Sequence, residues 1–258
     1  MSAETLEQAR ERLRPHVEAA QGFSGWSDMP RSREIGAPKP WDYISRAIEL
    51  VSGASSVLDI GTGGGERLSR ILEGYRFRAV ATEEWHVNAP VANAHLRPLG
   101  VDVVWSADEQ LPSKDSTFDL VLDRHSALSP RDVARVLSPG GTVLTQQLQP
   151  DHWREVRDFF ARAPDQFEMW GNHFENYQRG FSDAGLALVD VRLHEGTTAY
   201  DNLADFVYML CITPWTIPGF DPLGTDLKAL LELEAKLTTP VGLALSNGSY
   251  IIEARKPG

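Results

Sequence analysis

Apolar positions change their spacing along this 258-residue chain, and each change marks a different kind of element. Near the start, Leu6, Ala9, Leu13, Val17 and Ala20 recur every three or four residues, which predicts a charged helix with one apolar face. Gly22, Gly25, Trp26, Pro30, Gly36, Pro38 and Pro40 then forbid a continuous helix. A second helical period follows in PWDYISRAIELVSG, on Tyr43, Ile44, Ala47, Ile48 and Val51, with Gly53 placed to stop it. From residue 55 the pattern becomes short apolar runs with little polar alternation: SVLDI, RAVATEE at 78–84, VDVVW at 101–105, FDLVL at 118–122 and GTVLTQQ at 141–147. Runs of that kind suit strands of a parallel sheet covered on both faces.

Between the runs lie ERLSRILEGY, APVANAHLRPLG and SPRDVARVLSPGG, each of crossover-helix length and each ending in or near glycine. Strand and helix in alternation predict a doubly wound α/β domain. A helical stretch around 151–184, a strand at LALVDVRL, an inserted region from about 196 to 238 and a final strand at SYIIEARK complete the pattern. The expectation is an α/β, Rossmann-like, doubly wound sheet of seven mostly parallel strands with an antiparallel last strand. Residues 1–54 are expected to form an N-terminal helical cap, and 55–258 the main domain with the insertion before its last strand.

Composition narrows the function classes. A chain of this length, 42% hydrophobic with seven tryptophans, can bury a full core without a disulfide or a metal. The single cysteine, Cys211, rules out a disulfide within the chain, and the histidines show no metal-ligand spacing, so no metal is expected. No apolar run reaches the length of a bilayer and no signal-peptide pattern opens the sequence, so a cytoplasmic location without membrane contact is the expectation. A formal charge of −11 disfavours nucleic acid as a partner.

The chemistry starts at SSVLDIGTGGGE, residues 55–66. A glycine-rich turn between a strand and a helix lets backbone N–H groups approach a ligand, and the helix N-terminus adds partial positive charge. The spacing excludes two nucleotide loops. After Gly61 and Gly63, Glu66 stands where a dinucleotide fingerprint needs its third glycine, and no Gly-Lys-Ser/Thr follows to make a phosphate loop.

LDIGTGGGE, TEEW at 82–85, WSADEQLPSKDSTFDLVLDRHSAL and RVLSPGGTVLTQQL together resemble, in order and spacing, the class I S-adenosylmethionine-dependent methyltransferases. The resemblance covers about residues 50–150 and implies S-adenosyl-L-methionine as cofactor, with S-adenosyl-L-homocysteine as product. It further implies that Asp59 orients the loop and that Gly61, Thr62, Gly63 and Gly65 lie against the cofactor. Glu83 or Glu84 takes the ribose diol, with Glu83 preferred because it ends the apolar run. Asp108, flanked by Ala107 and Glu109, takes the adenine.

The sulfonium methyl is already electrophilic, so a protein chiefly aligns an acceptor with it and, for a hydroxyl or ammonium, removes a proton. Asp123 and His125, at the end of the fourth apolar run beside the ligand-binding edge, are the candidates for acceptor contact or base work, with Asp123 also a cofactor candidate. Arg124 is a candidate for an acceptor carboxylate. Trp26, Trp41, His173, Tyr177 and Trp215 are candidates for an aromatic acceptor pocket. These features point to methyl transfer to an O or N atom of a small-molecule acceptor, by a monomer or homodimer of bacterial type. RNA methylation and non-catalytic binding of the cofactor remain the alternatives.

Overall fold

Each apolar run becomes a strand, and the strands assemble in an order that places the glycine loop at the centre of the sheet. The computed structural model describes residues 4–27, 29–75, 78–106, 111–162 and 173–258. Helix α1 (Leu6–Gln21) is followed by β1 (Ser32–Ile35), α2 (Tyr43–Val51), β2 (Ser56–Ile60), α3 (Glu66–Ile71), β3 (Arg78–Glu83), α4 (Ala89–Leu96), β4 (Val101–Trp105), β5 (Phe118–Arg124), α5 (Pro130–Val136) and β6 (Leu137–Leu148). The remainder comprises α6 (Arg154–Phe160), α7 (His173–Asp183), β7 (Ala187–Tyr200), α8 (Leu203–Ile212), α9 (Leu227–Leu237), β8 (Thr238–Thr239) and β9 (Gly242–Arg255).

The sheet runs β1-β7-β9-β6-β5-β2-β3-β4, with β8 paired to β9. Strands β2 to β6 pair in parallel, whereas β9 lies antiparallel between β6 and β7. The expected doubly wound sheet with an antiparallel last strand is therefore present, its seven expected strands joined, among the described residues, by two more. The two extra strands are short: polar Ser32–Ile35 and the pair Thr238–Thr239 carry no apolar alternation, and only their partners β7 and β9 make them strands. For the same reason β7 runs on to Tyr200 and β9 starts at Gly242, both beyond the apolar runs.

Three cores follow from this order. Val57, Leu120, Leu122 and Leu144 face α2, α3 and α4 through Tyr43, Ala47, Leu68 and Leu96. On the opposite face Leu58, Ile60, Val121 and Val143 meet α5 and α7 through Val133, Tyr177 and Phe181. A third core joins Leu13 of α1 to Leu203, Phe206, Leu210, Leu227 and Leu230 of α8 and α9. The N-terminal helix thus packs on the segment between β7 and β9, two regions far apart in sequence that cover each other's apolar faces.

Helix starts are locally encoded. Thr5 and Gln8 form a capping box on α1. At α2 the Asp42 carboxylate accepts hydrogen bonds from the Ser45 hydroxyl (2.8 Å), Ile44 N (3.0 Å) and Ser45 N (3.2 Å). The Ser45 hydroxyl bond is the largest influence keeping the Asp42 carboxyl below its ordinary pKa of 3.8. Asp42→Ala is expected to cost about 1 kcal/mol in chemical denaturation; an unchanged midpoint would show that packing alone starts this helix.

Candidate functional site

The strand order reverses between β2 and β5, and in open α/β sheets the crevice at the carboxyl ends of such strands is the ligand site. The glycine loop leaves β2 there. Gly61, Gly63 and Gly65 have φ of 62°, 64° and 82°, a left-handed geometry that side-chain-bearing residues adopt at a cost. Thr62 N donates to Thr82 O at 2.9 Å and Gly65 N to Thr62 O at 3.1 Å, closing the loop onto β3. Asp59, buried at the end of β2, lies beneath it.

Glu83 ends β3 and is 5% exposed. Its carboxylate accepts from Gly63 N at 2.6 Å and from Trp85 N at 2.8 Å, so one side chain joins the loop to the strand end. Glu84, its neighbour, is exposed. Ala107, Asp108 and Glu109 lie outside the described residues. Leu111, the first described residue after them, is buried in the core.

Aromatic residues close over this loop. A Cβ on Gly63 would stand 2.6 Å from Cδ1 of Trp26, so the indole rests directly on the loop backbone. Trp26 N donates to Glu66 Oε1 at 2.7 Å and Gly25 N to Asn88 Oδ1 at 2.9 Å, fixing the segment. The Trp26 ring is parallel to Trp85 within 8°, with centroids 6.4 Å apart, and Trp85 meets Trp215 at 5.3 Å. Phe23 packs edge-on against both Trp26 and Trp85. Trp26 and Trp215 are therefore brought together. Trp41 lies outside this cluster but beside His125: it donates to Oε1 of Gln146, the residue that also meets His125, at 2.8 Å, and its ring meets His194 edge-on. Tyr177 is 9% exposed in the core, where its hydroxyl accepts from Leu128 N at 3.4 Å, and His173 opens α7.

The end of β5 sends its side chains two ways. Asp123 is fully buried, accepting from the Thr145 hydroxyl and from Gln147 Nε2 on β6. Arg124 points to the other face of the sheet. His125 adopts φ of 66°, with its N–H bonded to Gln146 O at 2.9 Å and its Nε2 3.2 Å from Gln146 Nε2. The His125 side chain is exposed to solvent at the end of β5, where neighbouring protein atoms crowd it. Desolvation, followed by the charges of Arg124, Arg67, His152 and Lys39, holds its pKa well below 6.5. At neutral pH the ring is uncharged and accepts hydrogen bonds without readily taking a full proton.

The sequence reading missed Phe23, Tyr43, Arg67 and Trp85 at this edge. Trp85 carried a signal as the last residue of TEEW, and Arg67 as the residue directly after LDIGTGGGE. Tyr43 carried only the helical period, which marks it equally as core.

The Rossmann-like sheet with this glycine loop and strand-end carboxylate is the architecture of a methyltransferase domain. Residues 58–145 match the family described as a methyltransferase domain. Over 102 residues the chain is 30% identical to a 23S rRNA (guanine(748)-N(1))-methyltransferase of Streptomyces fradiae, covering 40% of this chain and 36% of the relative. It is 27% identical over 165 residues to a malonyl-[acyl-carrier protein] O-methyltransferase of Dechloromonas aromatica, covering 57% of this chain and 61% of the relative. The chain thus spans less than two thirds of the length of either relative. Among solved structures it resembles the YcgJ protein of Bacillus subtilis, with a TM-score of 0.59 and 20% identity over 84% of this chain and 98% of that one. It also resembles the cyclase SpnF, with a TM-score of 0.54 and 17% identity over 100% of this chain and 98% of that one. At such identities these two likenesses concern the fold.

Proposed function

We propose that the protein is an S-adenosylmethionine-dependent methyltransferase acting on an oxygen or nitrogen atom of a small-molecule acceptor. The observation that carries the donor assignment is the Glu83 carboxylate, held against Gly63 N at the end of β3, where its oxygens suit a ribose diol. An orphaned polar atom supports the fit: the buried Thr62 Oγ1, on the glycine loop itself, has no partner among the described residues.

In this reading Asp59 orients the loop, while Gly61, Thr62, Gly63 and Gly65 lie along the donor. Asp108, with Ala107 and Glu109, takes the adenine. Bound S-adenosylmethionine supplies a methyl group on a sulfonium, an electrophile that needs alignment and dryness more than activation. Asp123, fixed by Thr145 and Gln147, holds the end of β5 in place. His125 accepts a hydrogen bond from the acceptor's hydroxyl or amine and orients its lone pair. Trp26, Trp85 and Trp215 exclude water.

A small acceptor suits the net charge of −11 and the aromatic cover. The Streptomyces fradiae relative's name favours RNA as the second reading. Methyl-labelled S-adenosylmethionine, incubated with the protein and separate panels of metabolites and RNA, tests both. Label is expected in hydroxylated or amine metabolites; label found only in RNA, with salt-sensitive binding, would replace the small-molecule assignment. Binding of S-adenosylhomocysteine without any turnover would favour a non-catalytic module.

A further inference from the structure

Alternate residues of β6 serve the end of β5 from two faces of the sheet. Thr145 and Gln147 turn to one face and hold Asp123, whereas Gln146 turns to the other, where it lies in register with Arg124 and is 4% exposed. Its side-chain amide has a partner at each end. Oε1 accepts from Trp41 Nε1 at 2.8 Å, and Nε2 stands 3.2 Å from Nε2 of His125.

The donor groups fix the direction of both bonds. An indole nitrogen only donates, so the Gln146 atom that meets Trp41 is the oxygen, and the atom that meets His125 is the amide nitrogen, which also only donates. His125 Nε2 must therefore accept, and the proton of the neutral ring lies on Nδ1. In water an unconstrained neutral imidazole side chain favours the opposite tautomer, with the proton on Nε2. Both ends of the arrangement are anchored. Trp41 directly precedes Asp42, the cap of α2, and its ring meets His194 edge-on with centroids 6.2 Å apart. His125 donates its backbone N–H to Gln146 O at 2.9 Å and takes φ of 66°, a left-handed conformation that its surroundings must maintain.

We propose that Trp41 and Gln146 are positioning residues: the indole N–H holds the Gln146 amide, and the amide holds the His125 lone pair on Nε2 and its proton on Nδ1. At 3.2 Å the second bond is at the long end of the hydrogen-bond range, and the His125 side chain is exposed. An acceptor's hydroxyl or amine can therefore take the amide's place on a nitrogen already set to receive it. That use rests on the methyltransferase reading; the tautomer does not.

Nitrogen-15 NMR of histidine-labelled protein at neutral pH reads the tautomer, because protonated and lone-pair ring nitrogens resonate far apart, and the spectrum of His125→Gln assigns the signals. Wild type is expected to carry the proton on Nδ1. Trp41→Phe leaves the Gln146 amide free to turn over and is expected to mix the two tautomers, and Gln146→Leu is expected to return the proton to Nε2. A side chain that merely packed would leave the ratio unmoved. With an acceptor found in the labelled panel, kcat is expected to fall several-fold in Trp41→Phe and about tenfold in Gln146→Leu, with KM changing less. The proposal is overturned if Nε2 carries the proton in wild type, or if both variants, shown folded by their urea transitions, keep the wild-type tautomer. If one variant does not fold, the other and the wild-type spectrum decide. Failure of the methyltransferase reading looks different: S-adenosylhomocysteine does not bind in calorimetry while the spectra still follow the relay, which upholds the tautomer and removes its use on a methyl acceptor.

Discussion

Replacing Glu83 by alanine is expected to weaken S-adenosylhomocysteine binding about 100-fold and to lower folding stability by about 2 kcal/mol or more. Both effects come from one carboxylate. In the free protein it accepts from Gly63 N and Trp85 N, and removing it strands two N–H groups beside a buried strand end. In the bound state it is the acceptor assigned to the ribose diol. Glu83→Gln separates the two roles, because its single amide oxygen serves one of those N–H groups while the charge is lost. An intermediate loss is expected for it. Isothermal titration with S-adenosylhomocysteine and urea denaturation read the two effects independently. Unchanged affinity in Glu83→Ala would move the ribose contact to another residue and leave Glu83 as a brace for the loop.

Acidification from pH 6.5 to 4 is expected to destabilise the protein by up to roughly 3 kcal/mol through His152 alone. Burial, together with the charges of Lys39 and Arg157, lowers this imidazole from 6.5 to about 4, against an opposing bond to Asn247. Its Nδ1 lies 3.1 Å from Asn247 Oδ1, and the ring stacks on Trp153 with centroids 4.7 Å apart. The sign follows from proton binding. Between pH 6.5 and 4 the unfolded chain carries the His152 proton and the folded protein does not, so stability is complete above 6.5 and falls as pH drops through the folded value. His125, also lowered, acts in the same direction. Urea midpoints across this range should decline in wild type and decline less in His152→Gln, whose amide can still donate to Asn247. Parallel pH profiles for the two proteins would locate the acid sensitivity elsewhere.

Much of the sheet was legible because parallel strands buried on both faces read as unbroken apolar runs. SVLDI, VDVVW and FDLVL became β2, β4 and β5 with boundaries shifted by two residues or fewer. The glycine loop was legible for a related reason: three alternate glycines after a strand answer a backbone requirement that acts within a few residues. The end of the apolar run marks Glu83 rather than Glu84, and in the fold Glu83 is buried while Glu84 is exposed.

The aromatic list was less discriminating. It included Tyr177, which packs in the core, and Trp41, which reaches the surroundings of His125 through Gln146. Trp85 was quoted as a motif residue but left out of the aromatic cover, although it links Trp26 to Trp215. An aromatic residue satisfies the same apolar pattern in a core as over a ligand, so pattern alone does not separate the two.

By itself the sequence determined the local features of this protein: helix caps, strand runs, the left-handed glycine turn and the order of motifs along residues 50–150. Those features depend on neighbours a few positions apart, where backbone geometry and side-chain period act directly. Tertiary structure alone decided that α1 shares a core with α8 and α9 and that β1 pairs with β7. Each of these joins segments distant in the chain, and such partnerships arise from burying apolar faces and pairing strand edges in three dimensions, which no local period records.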